Sequence, residues 1–169
     1  ILNLKQSLRG VLITRDDAIY DEARALYNGM IEKRPLLIAR CSDVADVIAA
    51  VNFGRNSGLP LAIRGGGHNG PGLGSVDKGL VIDLSLMKGV RVDPETRTAR
   101  VGAGCTQGDV DHATHAFGLA VPAGIISTTG TAGLTLSGGA RLPVTQVRPD
   151  HRQSARVRCC SGRRQLCHG

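Results

Sequence analysis

Two stretches of this 169-residue chain carry residue types and spacings suited to chemistry. The first is Arg64-Gly65-Gly66-Gly67-His68-Asn69-Gly70-Pro71-Gly72. Three successive glycines leave backbone amides with no Cβ to shield them, so an anionic group can approach closely, and an Arg and a His flank the opening. The second stretch, Ala123 to Gly139, is dense in Gly, Ser and Thr. Such a tract is poor material for a packed strand or helix and good material for wrapping a polar ligand in amides and hydroxyls. Together the two predict a site for a cofactor pyrophosphate. Taken alone, the first string also suits a plain glycine-rich turn with an exposed His.

The elements around these stretches can be read from periodicity. From Arg15 to Lys33 the apolar positions Ile19, Ala23, Leu26, Tyr27 and Met30 recur at helical spacing, with Asp16 and Asp17 at the start and Lys33 and Arg34 at the end, which predicts a helix with charges opposing its dipole. Leu36 to Arg40 reads as a buried strand. Ser42 is placed to cap a helix whose apolar stripe is Val44, Val47, Ile48 and Val51 and which Gly58 ends. Leu61 to Arg64 is the next strand, so strand, helix and strand form the crossover unit of a parallel sheet, and ligands favour the carboxyl ends of such strands. Gly79 to Leu84 reads as a strand, and Val90–Val92 with Thr98–Val101 as a pair around Asp93-Pro94-Glu95-Thr96. Thr106 and Asp109 resemble a capping box for a helix that runs to Phe117 and ends at Gly118.

The spacing of both tracts, with Tyr27-Asn28-Gly29-Met30-Ile31, Pro35-Leu36-Leu37-Ile38-Ala39-Arg40, Val81-Ile82-Asp83-Leu84-Ser85 and Val101-Gly102-Ala103-Gly104, resembles the FAD-binding module of the p-cresol methylhydroxylase or vanillyl-alcohol oxidase type, in the branch related to berberine bridge enzyme. The resemblance covers about residues 8 to 139. It implies an α/β (α+β) domain of two subdomains with FAD extended between them, incomplete at its C-terminus. The implied layout is a helical lead-in over residues 1–32, subdomain one over 33–88, the start of subdomain two over 89–139, and an out-of-family tail over 140–169. Carried over by motif, Arg64, Gly65, Gly66, Gly67, His68, Asn69, Gly72 and Gly74 form the first cradle. Ala123, Gly124, Ser127, Thr128, Thr129, Gly130 and Gly133 complete the site.

In that family the loop histidine is bonded to the flavin 8α-methyl carbon, which makes His68 the implied covalent anchor. A His after glycines can also simply hydrogen-bond a phosphate or water. Some relatives add a bond from a Cys in the second tract, but Ile126 stands at that place, so a single tether through His68 is implied. The resemblance further implies an oxidoreductase passing hydride from a substrate carbon to flavin N5. The catalytic base and substrate walls belong in this family to other parts of the protein, so no catalytic residue is assigned. The partner is a small-molecule substrate of the full-length parent, while oligomeric state and compartment stay open.

Several residues invite other chemistry. Asp83, at a strand end, suits either a cofactor contact or a structural turn. His112 and His115 share a helix face, but no body Cys or carboxylate stands at a matching ligand spacing, so surface histidines and no metal are expected. Arg91, Arg97 and Arg100 read as solvated strand positions, and Cys105 as a small buried residue. No run of about 18 apolar residues occurs, so no membrane-spanning helix is expected. Ile1 is not an initiator Met, which suggests a cut or unsequenced start.

The formal charge of +7 would suggest nucleic acid, yet residues 141 to 169 hold seven Arg against one Asp and supply +6 of it, leaving +1 for the first 140 residues. Two Phe, two Tyr and no Trp give no base-stacking platform. The tail lacks apolar periodicity, and its Cys159, Cys160, Cys167 and His168 do not stand at a familiar zinc spacing. A reading-frame slip after Gly139 accounts for the tail as disordered and out of family, and it raises the alternative that this chain is a truncated product without catalytic activity. Synonymous codons exist for Arg141 onward that, shifted by one base, encode Gly-Tyr-Leu-Ser-Arg-Arg-Tyr-Gly-Leu-Thr-Ile-Asp-Asn-Leu-Leu and later an Asp-Val-Val strand. Sequencing the gene past codon 139 should show those codons. DNA that cannot encode this continuation from Leu142 in the shifted frame removes the slip.

Overall fold

The computed structural model describes residues 1–137 and two short strands, Cys159–Cys160 and Leu166–Cys167, which pair antiparallel. Apart from those strands, the expectations for the tail lie outside the described residues. The main sheet contains β1 (Val11–Thr14), β2 (Leu37–Arg40), β3 (Leu61–Arg64) and β4 (Leu80–Asp83) in the order β1-β2-β4-β3. β2 and β3 both run parallel to β4, while β1 pairs antiparallel with β2, Leu12 opposite Ala39. The crossover unit is present, with β4 inserted between its two strands. Because β1 completes the sheet and α1 (Leu2–Ser7) packs on the core through Leu4, residues 1–32 are part of the sheet domain and not a helical lead-in.

Period-two alternation divides the core between the two faces of the sheet. Leu12, Leu37, Ala39, Cys41, Leu80 and Ile82 meet α1 and α3 (Val44–Asn56) on one face. Ile13, Ile38, Ala62 and Val81 meet Tyr20 and Ala23 of α2 (Tyr20–Arg24) on the other. Burying each large aliphatic side chain contributes about 1.5–3 kcal/mol. Cys41 lies in this core, and burial first of all, with nearby Asp46, pushes its thiol up to about 12, so it is inert packing.

Two helices differ from the expectation. α2 is five residues long, not the span from Arg15 to Lys33. The Asp17 carboxylate accepts from the Thr14 amide at 2.6 Å and makes a turn, and the chain goes extended at Ala25. Met30 is 91% exposed, so the helical spacing of the apolar residues is coincidental. In α3 the cap is Asp43, which accepts from the Asp46 amide at 3.0 Å, while Ser42 donates to Asp46. The helix buries Asp46, Ala50 and Gly54 and leaves Val44 and Ile48 exposed. A small-residue face lets it sit close on the sheet, where a Cβ on Gly54 would run into Leu61.

Beyond the sheet, β5 (Val90–Asp93) and β6 (Thr98–Val101) form the expected hairpin, its turn closed by the Asp93 carboxylate accepting from Glu95 and Thr96. Arg91 and Arg100 face each other across it in solvent, whereas Arg97 lies in the turn with φ of 52°. α4 (Gln107–His115) opens with the capping box of Thr106 and Asp109, and Gly118 follows in the left-handed region. The second tract does contain a helix, α5 (Thr131–Ser137), so only its first half is the extended wrapping segment that composition suggested.

At the carboxyl end of the sheet lies a buried ion pair. Arg64 donates to Asp83 at 2.8 Å, with side chains 7% and 3% exposed, and Arg40 adds a contact to the same oxygen at 3.3 Å. Arg64 also donates to the carbonyls of Ala23 and Ala25, which end α2 without helical partners. Burial alone would raise the Asp83 pKa, but the Arg64 guanidinium and the Ser85 donors outweigh it and hold the carboxyl below its usual value. A folded pKa below the unfolded one stabilises at neutral pH, and the contribution drains away as pH falls below about 4. Asp83→Asn should therefore cost about 3–5 kcal/mol at neutral pH by stranding the guanidinium, and should flatten the acid limb of stability. Urea unfolding of both proteins at neutral and acid pH measures this, and an unchanged neutral-pH midpoint would remove the pair's assigned role.

Candidate cofactor site

The glycine loop leaves β3 at its carboxyl end, where the sequence placed it. Its backbone is held from below by a strap, residues 25 to 36, that runs along it. The Tyr27 amide donates to the Gly67 carbonyl at 3.3 Å, the Asn28 amide group to Gly70 at 3.0 Å, and Lys33 Nζ to Gly72 at 2.8 Å. Gly67 takes φ of 70°, a conformation L side chains rarely adopt. Among the described residues the amides from Gly65 to Gly70 donate to no protein acceptor.

The second tract reaches this loop because α4 holds it. The first-turn amides of a helix lack intrahelical partners. Here Gln107 donates to the Thr129 carbonyl at 2.9 Å and Gly108 to Ser127 at 2.8 Å, and the Thr131 amide returns to Cys105 at 2.9 Å. Cys105 is buried beside Gly89, as expected of a small core residue. The result is direct contact between the tracts: a Cβ on either Gly66 or Gly130 would collide with the other's amide nitrogen. A third segment closes the joint, since Cβ atoms on Gly102 and Gly104 would strike the carbonyls of Met87 and Leu84.

At this junction His68 is partly buried. Its Nε2 lies 3.0 Å from the Thr128 hydroxyl and its Nδ1 3.5 Å from that of Thr129, and its ring stacks on Tyr27 with centroids 3.9 Å apart and planes 18° apart. The Thr131 hydroxyl beside Gly130 is buried with no partner among the described residues. Unshielded amides, an orphaned hydroxyl and a glycine-only approach fit a large phosphate-bearing ligand spanning both tracts.

Not every expected residue sits at the junction. The structure brings Gly65, Gly66, Gly67 and His68 together with Thr128, Thr129 and Gly130. The Arg64 guanidinium instead points inward to Asp83, so Arg64 supports the loop from beneath and does not flank the opening; this also places Asp83 as a structural carboxylate. Asn69 closes a turn by accepting from Leu73, and Gly72 and Gly74 are buried against Ile31 and the Arg64 stem. Ser127 lends its carbonyl to α4, Gly124 packs beside Leu134, Ala123 precedes it, and Gly133 is open on α5. Tyr27 and Thr131 were missed as site residues. Thr131 stands within the tract, so hydroxyl spacing could have found it, whereas Tyr27 was visible only as the first residue of the Tyr27–Ile31 motif, with nothing to aim its ring at His68.

His112 and His115 are exposed on α4, and no metal-holding group of His, Cys, Asp or Glu occurs among the described residues. No described helix is long and apolar enough to cross a membrane.

This geometry defines a nucleotide-cofactor domain in which two glycine-bearing loops meet, and comparison with known proteins agrees. The family described as FAD binding domain matches residues 35–167, past Gly139 where the recognisable motifs end. An uncharacterized FAD-linked oxidoreductase, YgaK, of Bacillus subtilis is 39% identical over 135 residues, 80% of this chain and 30% of that protein. (R)-6-hydroxynicotine oxidase of Paenarthrobacter nicotinovorans is 38% identical over 133 residues, 79% of this chain and 29% of the relative. Among solved structures, 6-hydroxy-D-nicotine oxidase from Arthrobacter nicotinovorans superposes with a TM-score of 0.74 at 37% identity, covering 76% of this chain and 28% of that one. Physcomitrella patens BBE-like 1 gives 0.73 at 32% identity, covering 79% and 30%. The chain belongs to the FAD-binding domain family of the p-cresol methylhydroxylase type found in FAD-linked oxidoreductases. It spans about 30% of the length of the relatives it matches.

Gly66→Ala tests the junction. Its methyl group must push the two backbones apart at a cost of about 1–3 kcal/mol, so FAD affinity should fall roughly tenfold or more while the Arg64–Asp83 end of the sheet is untouched. Flavin fluorescence titration measures this, and wild-type affinity would show that the contact does not shape the site.

Proposed function

We propose that this chain is the cofactor-holding portion of an oxidoreductase acting on a small-molecule substrate, with FAD tethered through His68 alone. The observation that carries the reading is the Gly66–Gly130 contact, because it sets the His68 ring at the seam of the two cradling tracts. When bound, FAD supplies the two-electron acceptor that takes hydride at N5. The loop amides would neutralise its pyrophosphate, and the hydroxyls of Thr128, Thr129 and Thr131 would add polar contacts. The single tether is supported by Ile126 standing where a second, cysteine tether would be, with no Cys from Ala123 to Ser137. Relatives named oxidoreductases and oxidases support the redox class, and the body charge of +1 gives nucleic acid no hold.

Attachment balances as an exchange of hydrogens for a bond. His68 gives up its ring N–H hydrogen, the methyl carbon gives up one C–H hydrogen, and an N–C bond forms. The two hydrogens and their electrons pass to dioxygen as hydrogen peroxide.

Chain expressed with FAD should remain yellow after acid precipitation and fluoresce in a denaturing gel, and His68→Ala should lose that signal while still binding FAD reversibly. Colour that washes out in acid would overturn the tether. A preparation that never takes up FAD would favour the truncated, catalytically silent reading.

A further inference from the structure

We propose that Thr128 and Tyr27 are positioning residues for His68: the Thr128 hydroxyl holds the imidazole as its Nε2–H tautomer and the Tyr27 face fixes its plane, leaving the lone pair on Nδ1. This rests on the His68 tether and specifies what prepares the ring for it.

A neutral imidazole carries one N–H donor and one acceptor nitrogen, and the hydrogen bond at one nitrogen decides the state of the other. The two contacts here are unequal. Thr128 Oγ1 is 3.0 Å from Nε2, a full hydrogen bond, whereas Thr129 Oγ1 is 3.5 Å from Nδ1, at the limit of one. A partly buried N–H with no good acceptor costs more than a lone pair with a loose donor, so the proton belongs on Nε2. Nδ1 keeps a lone pair whose one hydrogen-bond contact among the described residues is long and easily displaced. The hydroxyl positions are set by backbone bonds that do not depend on the histidine: the Thr129 amide donates to Ile126 and α4 holds the Ser127 and Thr129 carbonyls. Thr128 is exposed, so it can pass the departing Nε2 proton to water.

Tyr27 contributes nothing to the core: it is 63% exposed, and its aromatic partner among the described residues is the imidazole. Its amide is bonded to the Gly67 carbonyl, directly before His68, so ring and loop backbone are fixed together. Stacking on one face leaves the imidazole free to turn only within its plane, which the threonine bond then prevents.

The test begins on the full chain without cofactor. With 15N-labelled histidine, long-range proton–nitrogen couplings report the tautomer, and the His68 signals are those lost in His68→Gln. The wild type should show Nε2–H, Thr128→Val a mixture or the Nδ1–H form, and Thr128→Ser the wild-type pattern. An unchanged tautomer in Thr128→Val overturns the role of Thr128. The second arm adds FAD and follows acid-stable flavin in denaturing gels. At FAD concentrations that saturate reversible binding of each variant, Thr128→Val should slow its formation about tenfold, the worth of one such hydrogen bond, with Thr128→Ser restoring it. Tyr27→Leu should slow it several-fold and Tyr27→Phe restore it, whereas equal rates in Tyr27→Leu overturn the stacking role. If the wild type binds FAD but keeps none after acid, the tether fails, and the tautomer arm still decides whether Thr128 holds the ring.

Discussion

The Arg64–Asp83 pair is the constraint from which the rest follows. It joins the carboxyl ends of β3 and β4 at the point where the glycine loop departs, and it does so inside the protein. A guanidinium with this many donors needs more than one acceptor, and the spare ones take the last carbonyls of α2. One side chain thus decides where the loop starts, where α2 stops and where the strap begins. Exchanging it for an apolar residue of similar volume would leave the Asp83 charge to Arg40 and the Ser85 amide alone and strip the Ala23 and Ala25 carbonyls of their donor at once, which is why the network behaves as a unit.

The contact between Gly66 and Gly130 has a different origin. Neither glycine is drawn to the other by attraction; each is pressed there by hydrogen bonds made elsewhere, the strap for one and the first turn of α4 for the other. The capping box of Thr106 and Asp109 therefore matters beyond the helix it opens. It fixes the direction of the amides of Gln107 and Gly108, and those amides carry the tract that carries the threonines.

Much of this was legible. Strands with strong apolar runs, such as Leu80–Asp83, and ends marked by a capping box or a left-handed glycine were readable because their signals are local. What was not legible depended on tertiary partners. The spacing of Ile19, Ala23, Leu26, Tyr27 and Met30 mimics a helix, yet the Asp17 turn precedes it and Arg64 takes its closing carbonyls, which leaves five helical residues. Only Val47 of the α3 apolar stripe packs on the core, since close packing on the sheet selects Ala50 and Gly54 over Val44 and Ile48. β1 escaped notice because four residues without alternation carry little pattern. At the site, the glycines and His68 stood out by composition, while the inward turn of Arg64 and the stacking of Tyr27 are facts of three dimensions alone.

The strap has a thermodynamic consequence. Consecutive glycines give up more conformational freedom on ordering than any other sequence, and a loop left to order only around its ligand would subtract that loss from every binding event. Here Lys33, Asn28 and the Tyr27 amide tie the loop to the strap through bonds the protein makes with itself, so much of that loss falls within folding. The cradle then meets its cofactor already shaped, and the free energy of its contacts remains available as affinity.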